Sequence, residues 1–119
     1  GNVDRSVYAE NRFEEINGKC FDLDGFHDGQ VTGNICINRR PAAEYPHGHF
    51  ALVMNNNNPD MESENIRIVG NLFDGTKFGG IYVIGHGHEI SGNILRNLNT
   101  ARCTEQAAQF GCLYGDDPA

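Results

Sequence analysis

Ile68-Val69-Gly70-Asn71-Leu72-Phe73 decides how this chain is read, because its shape returns three more times along the sequence. Tyr8-Ala9-Glu10-Asn11, Val31-Thr32-Gly33-Asn34 and Ile90-Ser91-Gly92-Asn93 each close on asparagine and run into apolar residues. The asparagines stand 23 (11 to 34), 37 (34 to 71) and 22 (71 to 93) residues apart, the long interval being a repeat of about 23 with an insertion of about 14. A fixed period of this size marks a solenoid, in which each unit stacks on the next and shares one continuous core.

The residues between the asparagines say what is stacked. Phe21-Asp22-Leu23-Asp24-Gly25, Ala51-Leu52-Val53-Met54-Asn55 and Ile81-Tyr82-Val83-Ile84-Gly85 are strand candidates ending on Gly or Asn, the residues that tolerate φ > 0 in a tight turn. With a side-chain period of two, Phe21/Leu23, Ala51/Val53 and Ile81/Val83 are expected to face inward. Asp22/Asp24, Leu52/Met54 and Tyr82/Ile84 are then expected to face outward. Three residues before each asparagine stand Tyr8, Val31, Ile68 and Ile90, and two after it Phe13, Cys36, Phe73 and Leu95, which predicts two further columns of like residues. Apolar spacings of three and four, which a helix requires, are missing from these segments. The chain reads as one all-β domain with coils near residues 3–18, 19–38, 50–75 and 79–99, an insertion over 39–49 and a cysteine-flanked excursion over 100–119.

This pattern resembles the right-handed parallel β-helix of the pectate lyase and polygalacturonase superfamily, over roughly Val7 to Asn99. The resemblance implies that Asn11, Asn34, Asn71 and Asn93 form a ladder, their side-chain amides bonding to backbone and to one another along the axis. It also implies activity on polysaccharide. Asp24-Gly25 is similar to the Asp-Gly of polygalacturonase-type glycoside hydrolases, and Gly85-His86-Gly87 to their Gly-His-Gly. The Asp-Asp pair that the family places between these motifs has no counterpart there, since Asp116-Asp117 follows both. Ile66-Arg67-Ile68 comes before Gly85-His86-Gly87, where an Arg-Ile-Lys should follow. Asp24 and His86 alone carry matching local context.

Outward Asp22 and Asp24 have Cα atoms about 6.6 Å apart from the strand rise. Two carboxylates that close suit acid/base glycoside chemistry, where separations of about 5 to 9.5 Å accommodate a nucleophile or a water. With Asp28 they also suit calcium, and as solvent-facing charges they suit solubility alone. All five histidines fall in neighbouring coils, as His27, His47-Gly48-His49 and His86-Gly87-His88. His-x-His in an extended segment puts both imidazoles on one side, a spacing that fits a transition metal, with Asp28, His47 and His49 as one candidate set. Leu52, Met54, Tyr82 and Ile84 would make an apolar strip beside the acidic one. Such a strip suits a sugar-stacking groove around Tyr82 and Met54, with Asn55 and Asn56 offering amides to hydroxyls.

Composition narrows the class of partner. The net charge is −7 and the nine basic residues are scattered apart from Arg39-Arg40, which excludes a nucleic-acid footprint. No stretch approaches 18 apolar residues, so no membrane-spanning helix is expected. Glycine (15) and asparagine (14) are abundant, as a turn-rich solenoid requires. Cys103 and Cys112 flank a short helical pattern and are expected to form a disulfide; Cys20 pairs with Cys36 or stays free, and Cys36 sits in an inward column as a small apolar residue. A disulfide in such a fold points to a secreted, periplasmic or cell-surface location.

Three functions follow as expectations. One is a polysaccharide hydrolase or lyase using Asp22, Asp24 and one of His27, His86 or His88, with hydrolysis favoured because bases such as Lys19 and Lys77 are few. A second is a non-catalytic glycan-binding or adhesin-like solenoid. The third is a structural solenoid that assembles end to end or continues into a longer chain. None requires a cofactor, although calcium or a transition metal suits the acidic and histidine clusters.

Overall fold

The computed structural model describes residues 3–47, 50–54 and 58–102. Apart from one 3₁₀ turn at Ala42–Glu44, its regular structure is short strand. The first repeat carries β1 (Val3–Asp4), β2 (Val7–Ala9) and β3 (Arg12–Glu14). The second carries β4 (Phe21–Asp22), β5 (Phe26–His27), β6 (Gln30–Thr32) and β7 (Ile35–Ile37). The third has β8 (Leu52–Val53), β9 (Arg67–Val69) and β10 (Leu72–Asp74), and the fourth β11 (Ile81–Tyr82), β12 (Glu89–Ser91) and β13 (Ile94–Arg96). Equivalent strands pair in parallel from one repeat to the next, giving sheets β2-β6-β9-β12, β3-β7-β10-β13, β4-β8-β11 and β1-β5. The architecture is an all-β parallel solenoid.

The recurring phrase is a corner between two of these sheets. The residue before each asparagine is left-handed, with φ of 57°, 65°, 70° and 64° at Glu10, Gly33, Gly70 and Gly92. Glycine takes that conformation without strain, which is why three of the four repeats use it. The turn aims the next side chain along the axis, and there the expected ladder forms. Asn34 Oδ1 accepts from the backbone N–H (2.9 Å) and Nδ2 (3.0 Å) of Asn11, and Asn71 Oδ1 accepts from the same two groups of Asn34 at 2.9 and 3.0 Å. Asn93 Oδ1 does the same for Asn71 at 2.8 and 2.9 Å. The other Nδ2 hydrogen of Asn34, Asn71 and Asn93 goes to the carbonyls of Tyr8, Val31 and Ile68, tying each corner to the strand of the repeat before.

Both inward columns flanking the ladder are in register: Tyr8, Val31, Ile68 and Ile90 on one sheet, Phe13, Cys36, Phe73 and Leu95 on the next. Phe21, Phe26, Leu52, Met54, Ile66 and Phe73 fill the space between the walls. Cys36 is not a free buried thiol. It is bonded to Cys20, 16 residues earlier, so the disulfide joins the start of the second repeat to its last strand. The expected Cys103–Cys112 bridge and its helical excursion lie outside the described residues, as do His49, Asn55 and Asn56.

The third sheet corrects the inward and outward assignment. Phe21, Leu52 and Ile81 share one register position, and Asp22, Val53 and Tyr82 the next. Leu52 and Met54 are therefore inward and wholly buried, not part of an outer apolar strip. The cause is local. The N–H groups of Ala51 and Leu52 both bond to the Gly80 carbonyl, at 3.0 and 3.1 Å, which advances the strand by one residue; Ala51 and Val53, the expected inward pair, are buried as well.

The long connection from β7 to β8 is fastened by a small polar cluster. Tyr45, buried, donates its hydroxyl to Glu15, which also accepts from the Arg39 backbone N–H at 3.0 Å and pairs with Arg40 Nε at 3.3 Å. Lys77 Nζ donates to the Tyr45 carbonyl at 2.7 Å. The Tyr45 hydrogen bond, with the two arginines behind it, holds the Glu15 carboxyl below the usual carboxylate range. Burial, followed by the Glu15 carboxylate, pushes the Tyr45 hydroxyl up. The chain's one basic doublet, though exposed, is thus engaged with Glu14 and Glu15 of the first repeat.

Candidate functional site

A second column runs beside the ladder, on the turn that leads into its first sheet. Asp4 pairs in register with His27, His27 bridges in parallel to Glu64, and Glu64 bridges to His86. Acid and histidine alternate through the repeats, at a spacing of about 4.8 Å per step. The following residues, Arg5, Asp28, Asn65 and Gly87, all have positive φ (57°, 54°, 55° and 76°), so each repeat turns sharply there. A Cβ on Gly87 would lie 2.0 Å from Asn65 Oδ1, so a larger residue at the fourth step would displace the Asn65 amide. Asn65 Nδ2 donates to Asp28 Oδ1 at 3.2 Å, which adds a carboxylate and an amide beside the column.

His27 is the best-held member. Its Nδ1 lies 2.9 Å from Asp4 Oδ1 and its Nε2 lies 2.9 Å from the Glu62 carbonyl. Both partners only accept, so both ring nitrogens must donate, and the ring is satisfied as imidazolium. The Asp4 hydrogen bond accordingly raises the His27 pKa against the opposing effect of burial, with the Glu62 carbonyl and the Glu64 charge assisting. A group raised on folding contributes stability that is complete below its unfolded value near 6.5 and is lost as pH rises through the folded value. The protein should therefore unfold at a lower temperature at about pH 8.5 than at about pH 6, and Asp4→Asn should flatten that difference. Thermal melts of both proteins at the two pH values measure it; an undiminished difference in Asp4→Asn would assign the effect to another group.

His86 and His88 part company. Left-handed Gly87 breaks the extended geometry that would have set them side by side. His86 projects to solvent with its Nε2 3.8 Å from Glu64 Oε1. His88 turns inward: its Nδ1 accepts from the Ile66 N–H at 3.2 Å and its Nε2 donates to the Ile84 carbonyl at 2.7 Å. That pattern is complete only for a neutral ring protonated on Nε2, so neither nitrogen is left for a metal or a substrate proton.

The other candidates are dispersed. Asp22 is exposed on the third sheet, 3.5 Å from Lys19 Nζ and in register with Val53 and Tyr82. Asp24 is half-buried in the turn between β4 and β5. Tyr82 is half-buried against the Phe50 ring, with centroids 5.7 Å apart, and Met54 belongs to the core and meets no solvent. The His47 backbone N–H donates to Asn17 Oδ1, on a different part of the molecule from Asp28. Among the described residues no group of three or more His, Cys, Asp or Glu side chains is arranged to hold a metal ion. Nor is any helix there long and apolar enough to cross a membrane.

The column itself could have been found in the sequence. Asp4, His27, Glu64 and His86 each stand seven residues before a ladder asparagine, so the intervals that align Asn11, Asn34, Asn71 and Asn93 also align them. Glu64, bracketed by two histidines, is the residue that motif reading passes over. Comparison with protein-family models, with characterised proteins and with solved structures gave no match.

Proposed function

We propose that this chain is a right-handed parallel β-helix protein that binds an extracellular polysaccharide or oligosaccharide without cutting it. The observation that carries the reading is the outer column Asp4, His27, Glu64 and His86, flanked by Asp28 and Asn65. Carboxylates accept, the amide both donates and accepts, and the exposed His86 ring does either, which is the pairing that sugar hydroxyls seek. A regular row of such groups suits a repeating polymer. Cleavage is less supported, because general acid/base work needs the acid and base within reach of one bond. His27 is committed on both sides, His88 is turned inward, and Asp22 stands on a different sheet. The disulfide favours the secreted, periplasmic or cell-surface setting in which such polymers occur.

Affinity electrophoresis through gels containing neutral and uronate-rich polysaccharides tests this. At least one polymer should retard the protein, and the Glu64→Gln/His86→Ala double variant should bind it about tenfold more weakly while keeping its circular dichroism spectrum. Absence of retardation across the panel would remove the proposal, and release of reducing ends would replace it with hydrolysis.

A further inference from the structure

The seven large apolar side chains that stand exposed among the described residues are not scattered. Val3, Val7 and Tyr8 belong to the first repeat, and Ile90, Ile94, Leu95 and Leu98 to the end of the last. Both ends of the ladder are open there too. Asn11 Oδ1 accepts from nothing among the described residues, while the Asn93 N–H and its second Nδ2 hydrogen, the groups that Asn71 donates to Asn93, have no acceptor among them.

We infer that two copies of this chain stack head to tail, the first repeat of one continuing the last repeat of the other in the register of the solenoid. The inference is independent of the glycan reading. What commits the face to a second copy is that one register satisfies every column at once. All four repeats place two residues between the column residue and the first strand residue that follows, and the same number between the two sheets: 4 to 7 and 9 to 12, 27 to 30 and 32 to 35, 64 to 67 and 69 to 72, 86 to 89 and 91 to 94. Setting Asn93 to donate to Asn11 of the second copy therefore also sets Ile90 on its Tyr8 and Leu95 on its Phe13. These are the pairings the two inward columns already make inside the chain.

The charges agree with the same register. His86, 68 % exposed in its side chain, would meet Asp4 of the second copy at the step where His27 meets Glu64 within the chain, and acid and histidine would go on alternating. Arg96, beyond Asp74 in its column, would meet Glu14 of the second copy. An apolar partner of unrelated sequence would match the hydrophobic columns without matching these two pairs. The contact joins unlike surfaces, so it leaves a free face at each end and permits further copies to add.

Sedimentation velocity on the full chain from about 1 μM to about 1 mM reads this directly. Dimers and longer species should grow with concentration. Tyr8→Lys blocks one face and Leu95→Lys the other, and each should weaken association about thirtyfold. Mixing the two blocked variants should restore a single 1:1 dimer that grows no further, since each retains the face the other lacks. His86→Ala, remote from the core, should weaken association of the wild-type chain about threefold with an unaltered spectrum. A chain that stays monomeric throughout overturns the inference, its ends then being covered by residues of its own. Association that survives both lysine variants, or a mixture that does not dimerise, overturns it equally.

Discussion

Replacing Asn71 by leucine should lower the folding free energy by about 4 kcal/mol, the largest loss expected from any single ladder position. Leucine has nearly the same shape, so the change tests hydrogen bonding with little change in packing. Asn71 is 1 % exposed and its side chain makes bonds on both sides: Oδ1 accepts two from Asn34, and Nδ2 donates to Val31 and to Asn93. Removing it leaves the Asn34 backbone N–H and amide, both in a residue with no exposure, without their acceptor. Each buried polar group so orphaned costs about 1 to 3 kcal/mol, more than the bond was worth when made. The Val31 carbonyl also loses its side-chain donor. Asn11→Leu is the control. Asn11 is exposed and donates without accepting, so water replaces what is lost and the penalty should stay below about 1 kcal/mol. Urea unfolding of the two variants measures the contrast. Equal penalties would mean that burial is not what gives the ladder its strength.

Removing the Cys20–Cys36 bond should cost about 3 kcal/mol, the amount expected from closing a loop of this size in the unfolded chain. The sequence separation is 16, within one repeat, so the bond limits the unfolded ensemble without spanning distant parts of the fold. Cys36 is buried in the column between Phe13 and Phe73. A Cys20→Ala/Cys36→Ala variant isolates the effect from the cysteines at 103 and 112. Its urea midpoint should fall below that of the oxidised wild type with an unchanged slope, and reduced wild type should fall close to it. Coincident midpoints for variant and oxidised protein would refute a stabilising bond, and a non-reduced digest lacking a Cys20–Cys36 peptide would refute the bond itself.

The ladder was legible in the sequence because its geometry leaves little choice. A left-handed residue followed by a side chain that must both donate and accept along the axis is met by Gly-Asn, and three repeats use that pair. The columns three before and two after each asparagine follow from the same corner, since only one turn separates them from it. The third sheet lies farther from the ruler. Seven residues lead from Glu14 to Phe21 and from Asp74 to Ile81, but fifteen from Ile37 to Leu52, and nothing in the ruler tells how that longer path re-enters the wall. The shared bond of Ala51 and Leu52 to Gly80 settled it one residue away from the expected place. His88 was misplaced for a related reason: its motif reads as half of a pair, while left-handed Gly87 turns it toward the Ile66 and Ile84 backbone. The Cys20 partner stayed open because spacing along a strand does not say which residues face one another across the core.

The left-handed corners also set the order in which the solenoid comes apart. The first repeat fills three of them with Arg5, Glu10 and Glu15, where later repeats place residues such as Gly33, Gly75, Gly92 and Asn97. A side chain in that conformation carries roughly 1 to 2 kcal/mol of strain that glycine avoids. Nearest-neighbour stacking makes such a molecule behave as a row of coupled segments, each held by the one beside it. Strain gathered in one segment lowers the free energy of local opening there first. Among the described repeats the first is thus the easiest to open, and the middle ones, stacked on both sides and cornered in part by glycine, are the hardest.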